Sequence, residues 1–222
     1  MKQEKSALQK PKNIGYRIVM ALMALCVPIV AYFNDLVYMV WDSEAFKFLA
    51  QLQGNTTDNG QTEQALSIRY AVEQLLPNLK GGESKIDVWA TLAPIKAELI
   101  ATLVCFALAI LAALAVFFIS CFVRNRVVGT SVAGVGLLSM ISMSISFHYL
   151  AKTLLAGKVS LASFFATSAL TQGLLNQLMK LSIFQLSTGY YLILFLFIAM
   201  VLWGVANWMV SLGEKEKSEK SK

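Results

Sequence analysis

Residues 99–123 read LIATLVCFALAILAALAVFFISCFV and contain no charged side chain. An α-helix rises about 1.5 Å per residue, so about 20 apolar residues are needed to cross the roughly 30 Å hydrocarbon core of a bilayer. This run exceeds that length. It therefore predicts a membrane-spanning helix.

Three further segments have the same length and apolar character. They occupy residues 17–37, 127–150 and 190–212. The chain of 222 residues is 57% hydrophobic and only 14% charged, which is too little charge to cover a water-soluble particle of this size. We therefore predict an all-α integral membrane protein. Its membrane domain, residues 17–212, is expected to be a bundle of four transmembrane helices.

The positions of lysine and arginine predict how the chain is threaded. These residues concentrate in the tail 1–16, in the link 124–126 and in the tail 213–222. The positive-inside rule places all three regions on the cytoplasmic side, so both termini are expected in the cytoplasm, below a plasma or bacterial inner membrane. The net charge of +6 follows these flanks instead of forming one patch, which argues against a nucleic-acid partner.

The longest connection, residues 42–97, is predicted to lie outside. Residues 43–53 and 62–79 have helical apolar spacing, so we expect two amphipathic helices that cap the outer face of the bundle. The first span is expected to continue as helix towards this cap. Asp35 would then mark the exit from the membrane, with aromatic residues on either side of it as in an interfacial belt.

The second outer connection, residues 151–188, contains an apolar segment at 159–178 that is long enough to cross the membrane. Its second half carries several amides, and a fifth span would move the basic tail outside. An interfacial or re-entrant helix is therefore the preferred interpretation, with a fifth span as the alternative. The tail 213–222 alternates in charge and is expected to be solvated and disordered.

Five polar residues are predicted at the outer boundary. Asp35 lies about 27 Å from Arg17 along a straight helix, and His148 lies about 33 Å from Arg126. The hypothesis is one outer polar cluster, either an ion-pair network or a site sensitive to protons or a ligand. The alternative is a set of separate side chains that snorkel to water. The candidate residues are Asn34, Asp35, Lys96, Glu98 and His148.

The third span is rich in small and hydroxyl residues. Small residues let helix backbones approach closely, and hydroxyls can form hydrogen bonds across the contact. We interpret this span as the packing centre of the bundle, with a polar lining for a path or pocket as the alternative. The residues expected to pack are Gly129, Ala133, Gly136, Ser139 and Ser146.

Catalytic, metal and cofactor sites are not predicted. The three cysteines all lie in apolar runs without a C-x-x-C pair, the chain has one histidine, and no hydrolase or nucleotide motif is present. The threading is similar in outline to that of claudin-like tetraspans, but the cysteine pair of their outer loops is missing, so no family is assigned.

A non-enzymatic role is therefore expected: an accessory, assembly or interaction subunit of a membrane complex. Its partners would be the lipid bilayer and a homo- or hetero-oligomeric membrane protein. A small oligomeric transporter or channel is the first alternative. A membrane enzyme that acts on a lipid or quinone at the outer interface is the second.

Overall fold

The computed structural model describes residues 14–40, 63–70, 92–123, 126–156 and 183–220. The main helices are α1, Ile14–Phe33; α3, Lys96–Phe122; α4, Arg126–Leu155; and α5, Thr188–Lys220. One helical turn, α2, covers Ile68–Tyr70, and a 3-10 turn, Ala93–Ile95, leads directly into α3. The strands are β1, Val37–Val40; β2, Glu63–Leu66; and β3, Ile183–Leu186.

Four helices in the described part of the chain are long and apolar enough to cross a membrane. They are Ile14–Phe33, Ala93–Phe122, Arg126–Leu154 and Thr188–Val210. The prediction of four apolar helices of spanning length is confirmed. Helix α1 packs against α3 and α5, and α4 packs against the same two helices, so the four form a bundle.

The centre of the bundle is filled by large apolar side chains. Seven of them are almost completely inaccessible: Met20, Val27, Val116, Met140, Ile193, Phe197 and Met200. They come from all four helices, and small residues such as Ala24 and Ala113 let the helices approach between them. The core is therefore continuous along the bundle, and none of its fully buried members among the described residues has a polar side chain.

The outward faces are also apolar. Only 22–33% of the most hydrophobic window of each long helix is buried inside the protein. Large side chains such as Leu22, Leu103, Leu138 and Phe195 are more than half exposed. Water-soluble monomers rarely expose apolar patches of more than a few hundred Å². This surface is what an integral membrane protein requires.

A three-stranded sheet with the order β2-β1-β3 lies at one end of the bundle. Both pairings are antiparallel, and Tyr38 in the central strand lies opposite Ala65 on one side and Gln185 on the other. The chain is therefore mostly helical, and the prediction of an all-α protein is wrong at this end. The two edge strands precede α2 and α5, respectively.

The sequence predicted that the first span continues as helix towards the cap, and this prediction is wrong. Helix α1 ends at Phe33, and the chain turns through Asn34 and Asp35 into β1. Asn and Asp favour turns because their side chains compete for backbone hydrogen bonds, and the following Val-Tyr-Met-Val has high strand propensity. The helix expected over 62–79 likewise begins as β2, and only α2 within it is described as helical.

Two helix boundaries also differ from expectation. Helix α4 continues beyond residue 150 to Leu155, and α5 continues through the tail that was expected to be disordered as far as Lys220. Glu and Lys are good helix formers, and opposite charges four residues apart support a helix. The amphipathic segment 43–53 and the apolar segment 159–178 lie outside the described residues.

Candidate functional site at the sheet end

The two ends of the bundle differ in construction. We call the end that carries the three strands the sheet end, and the end that carries Arg17 and Arg126 the arginine end. Loops and helix termini at both ends leave backbone groups that need hydrogen-bond partners. The contacts at each end show how those groups are satisfied.

At the arginine end, Arg17 of α1 caps the last turn of α3. Its Nε donates to the Ser120 carbonyl oxygen at 2.6 Å, and its Nη2 donates to the carbonyl oxygen of Cys121. The last carbonyls of a helix lack partners within the helix and carry the negative end of its dipole, so a guanidinium there is doubly favourable. This contact ties α1 to α3.

Arg126 and Tyr16 extend the same arrangement to the other two helices. The Tyr16 hydroxyl donates to the Arg126 carbonyl oxygen at 3.2 Å, and the Arg126 guanidinium carbon lies 5.8 Å from the centre of the Tyr16 ring. Arg126 Nη1 donates to the Asn207 carbonyl oxygen of α5 at 3.2 Å. The residues that predict topology therefore also hold all four helices together at this end.

Small residues of α4 lie where neighbouring helices approach. A Cβ added at Gly136 would lie 2.1 Å from Phe197 of α5, and one at Gly129 would lie 3.5 Å from the Tyr16 hydroxyl. Ala133 is completely buried between them. Ser139 and Ser146 are half-buried, and the Ser139 hydroxyl donates to the Val135 carbonyl of its own helix at 2.9 Å.

At the sheet end, backbone groups of Asp35 and Leu36 fasten the turn after α1 to the start of α5. The Gly189 amide donates to the Asp35 carbonyl oxygen at 3.0 Å, and the Ser187 amide donates to the Leu36 carbonyl oxygen at 2.9 Å. A Cβ added at Gly189 would lie 2.5 Å from the Asp35 oxygen, so this close approach needs glycine. The described contact of Asp35 is therefore made by its backbone.

The other members of the predicted polar cluster also lie at the sheet end. Asn34 is half-buried in the same turn, and its backbone N–H donates to the Val30 carbonyl oxygen at 2.9 Å. Lys96 is exposed at the start of α3, while Glu98 is half-buried in the first turn, where a carboxylate favours the helix dipole. His148 is exposed on α4 and lines a cavity.

That cavity has a volume of about 290 Å³ and lies between the sheet and the helices α4 and α5. Tyr38 and Gln185, opposite each other on β1 and β3, form part of its wall. The Tyr38 hydroxyl donates to Gln185 Oε1 at 2.7 Å. The remaining described residues of the wall are Ser144, Phe147, His148, Ala151, Phe184, Leu186 and Tyr191.

The cavity rests on a small apolar cluster that is separate from the main core. Ile95, Phe147 and Leu150 are its buried members, and Phe184 and Leu186 of β3 pack against them. Behind the wall, the Tyr190 hydroxyl donates to the Met140 carbonyl oxygen at 3.1 Å. The wall is therefore supported from α4, α5 and the sheet.

Sequence reasoning selected His148 but missed its neighbours in the cavity. Tyr38 and Gln185 meet only because β1 pairs with β3, which precedes α5. Around Tyr38 the sequence is a continuous apolar and aromatic run, which gives no local signal of a strand or of its partner. In the described part of the chain, no group of three or more His, Cys, Asp or Glu side chains is placed to hold a metal ion.

Comparison with known proteins adds no identity. No family model, curated protein or solved structure matches this chain.

Proposed function

We propose that this chain is an integral membrane protein with four spans and both termini in the cytoplasm. The four long apolar helices and their exposed apolar faces support insertion. Arg17 and Arg126 lie at the same end of the bundle, and the positive-inside rule assigns that end to the cytoplasmic side of a plasma or bacterial inner membrane. The sheet end then faces outwards.

Its proposed role is that of a non-enzymatic accessory, assembly or interaction subunit that presents the sheet end to another membrane protein. One observation carries this proposal: the sheet is fastened to the bundle by the contacts of Asp35 and Leu36 with α5. A surface that is already fixed loses less conformational entropy when a partner binds, so binding is favoured.

The sheet also offers a chemical means of binding. Within the described residues, β2 and β3 are edge strands, and each is four residues long. The outer edge of a strand presents backbone donors and acceptors to which another protein can add a strand. Exposed side chains at this end, among them Phe33, would supply the accompanying apolar contacts.

The packed core makes a transport path through one copy unfavourable. Met20, Met140 and Phe197 are fully buried along the axis of the bundle. Conduction would need a path between copies in an oligomer. Flux of solutes into liposomes that contain the purified protein is the measurement that would favour this alternative.

The experiment that tests the proposed role is purification of the tagged chain from its native membranes in a mild detergent. Quantitative mass spectrometry is expected to find one membrane protein in a fixed ratio to the chain. The Phe33→Glu variant is expected to lose that protein. Phe122→Glu is the matched control, because Phe33 and Phe122 are exposed to 64% and 78% and end helices at opposite ends of the bundle.

Two results would contradict the proposed role. One is a chain that purifies without any protein in a fixed ratio while its thermal unfolding remains that of the intact bundle. The other is loss of the partner from Phe122→Glu and its retention by Phe33→Glu, since the binding surface would then lie at the arginine end.

A further inference from the structure

We propose that the cavity at the sheet end binds an uncharged, planar ring that carries carbonyl oxygens, the chemistry of the head group of a lipid-soluble quinone. This inference does not rest on the proposed partner, because it concerns the wall of the cavity alone. It is a proposal about binding, and it assigns no reaction to the site.

The size and the wall of the cavity select a flat ring. The volume of about 290 Å³ is close to the lower limit for small-molecule sites. A cavity of this size accommodates a single substituted ring. Five of the described wall residues carry rings: Tyr38, Phe147, His148, Phe184 and Tyr191. Aromatic rings pack favourably against another ring by offset stacking or by edge-to-face contact.

The hydrogen-bonding groups of the wall select carbonyl oxygens. The Tyr38 hydroxyl occupies Gln185 Oε1, which leaves the amide hydrogens of Gln185 as donors. His148 presents a ring N–H, and the exposed Tyr191 presents a hydroxyl. Donors from β3, α4 and α5 therefore line the cavity and are enough for two carbonyl groups on one ring.

The charge of the wall disfavours ionic head groups. None of the described wall residues is an aspartate, glutamate, lysine or arginine. A phosphate or a primary ammonium gains no counter-charge from an acidic or basic side chain of this wall, whereas a neutral carbonyl needs none. A quaternary ammonium ion is a cationic group that aromatic rings bind by cation–π contacts without a counter-charge. Its binding is therefore measured separately.

The adjoining helix faces provide a path for an apolar tail. Ile145 lies three residues before His148, and Phe195 lies four residues after Tyr191, so each shares a helix face with a residue of the wall. Ile145 is 56% exposed and Phe195 is 66% exposed. A ligand with its ring in the cavity can therefore keep its tail on apolar protein surface within the membrane.

The test uses the full chain, purified in a maltoside detergent and titrated with a decyl-substituted benzoquinone by isothermal titration calorimetry. Saturable binding of one quinone per chain is expected. Loss of one hydrogen bond should weaken binding about tenfold in His148→Ala and in Gln185→Leu. The control is Tyr32→Phe, which should leave the affinity unchanged. Tyr32 is exposed on α1 and is not among the described residues of the wall.

The second arm replaces the quinone with decyltrimethylammonium, which has the same tail and a quaternary ammonium head. No saturable binding is expected. Partitioning of the quinone into micelles to the same extent for all variants would overturn the proposal. Tighter binding of decyltrimethylammonium that is lost in His148→Ala would overturn it as well, because the site would then recognise a cation.

A labelling experiment on the unaltered chain keeps the proposal testable if the variants fail to fold. A photoreactive benzoquinone with the decyl tail is irradiated with the protein, and the labelled peptides are identified by mass spectrometry. Labels are expected within residues 144–151 and 184–191, and excess unlabelled quinone should remove them. Labels confined to other segments would contradict the proposal.

Discussion

The helices are held together by different groups at the arginine end and at the sheet end of the bundle. At the arginine end, cationic side chains reach across helices to backbone carbonyls, and Arg17 and Arg126 are both used in this way. At the sheet end, backbone meets backbone at Asp35 and Gly189, while side chains such as His148 and Gln185 face a cavity.

We interpret the difference as one between a structural end and a proposed binding end. Side-chain donors consumed in joining helices cannot serve a ligand, whereas a fold held by its backbone leaves such donors available. Variants at each end of the bundle test that separation.

The largest effect is expected at the contact of α4 with α5, which both ends depend on. Gly136→Ala places a Cβ about 2.1 Å from a ring atom of the fully buried Phe197, so neighbouring side chains must move. Overpacking of this kind costs on the order of 1–3 kcal/mol. Thermal unfolding of the purified protein in detergent measures the loss.

Gly134→Ala is the matched control, because a Cβ at Gly134 meets nothing within 4 Å. Alanine is favoured over glycine in a helix by about 1 kcal/mol, so this variant should be as stable as the original or more stable. Equal behaviour of the two variants would contradict the assigned contact between α4 and α5.

The next effect is confined to the sheet end. Gly189→Ala puts a Cβ about 2.5 Å from the Asp35 carbonyl oxygen, which forces the turn after α1 away from α5. Hydrogen exchange should accelerate at least tenfold in residues 34–40 and 183–189, since an opening cost lowered by about 1.4 kcal/mol changes exchange tenfold. Exchange around Arg126 should not change. Acceleration throughout the bundle would show that the two ends are not separable.

At the arginine end, we expect a loss of stability that is similar to or smaller than that of Gly136→Ala. Arg17→Gln removes the charged donors at the end of α3 and should lower the free energy of unfolding by about 1–3 kcal/mol. Arg17→Lys retains the charge but not the paired donors, so its loss should be intermediate. Denaturant titration gives the values, and binding of quinone at the sheet end should persist in both variants. Loss of quinone binding would couple the two ends.

The smallest effect is expected from Tyr38→Phe. It removes the hydrogen bond to Gln185, which lies at an exposed position, so the stability should fall by no more than about 1 kcal/mol. Differential scanning fluorimetry measures the change, with Tyr32→Phe as the control. A large loss would mean that the sheet depends on this side-chain pair and not mainly on its backbone contacts.

The sequence predicts the parts of the fold that depend on local periodicity. A charge-free run such as residues 99–123 is long enough to indicate a span without knowledge of its neighbours. Strand β1 is not predictable in this way, because its four apolar and aromatic residues follow α1 and are indistinguishable from the end of an apolar run. Only pairing with β2 and β3, which come from distant segments, makes it a strand.

The same distinction applies to the candidate site. Counting helical rise places His148 at the opposite end of its helix from Arg126, since position along a helix is a local property. The cavity itself depends on the register that brings Tyr38 opposite Gln185, which is a non-local property. The two arginines are visible in the sequence as signals of topology, but the carbonyls that they bind belong to other helices.

We propose that the sheet end is the binding end and that the arginine end is structural. The most direct test is photo-crosslinking in native membranes from a photoreactive amino acid placed at position 185 or at position 14, two exposed sites at opposite ends of the bundle. The account predicts a discrete crosslinked protein from position 185 and none from position 14. A discrete product from position 14 alone would contradict it.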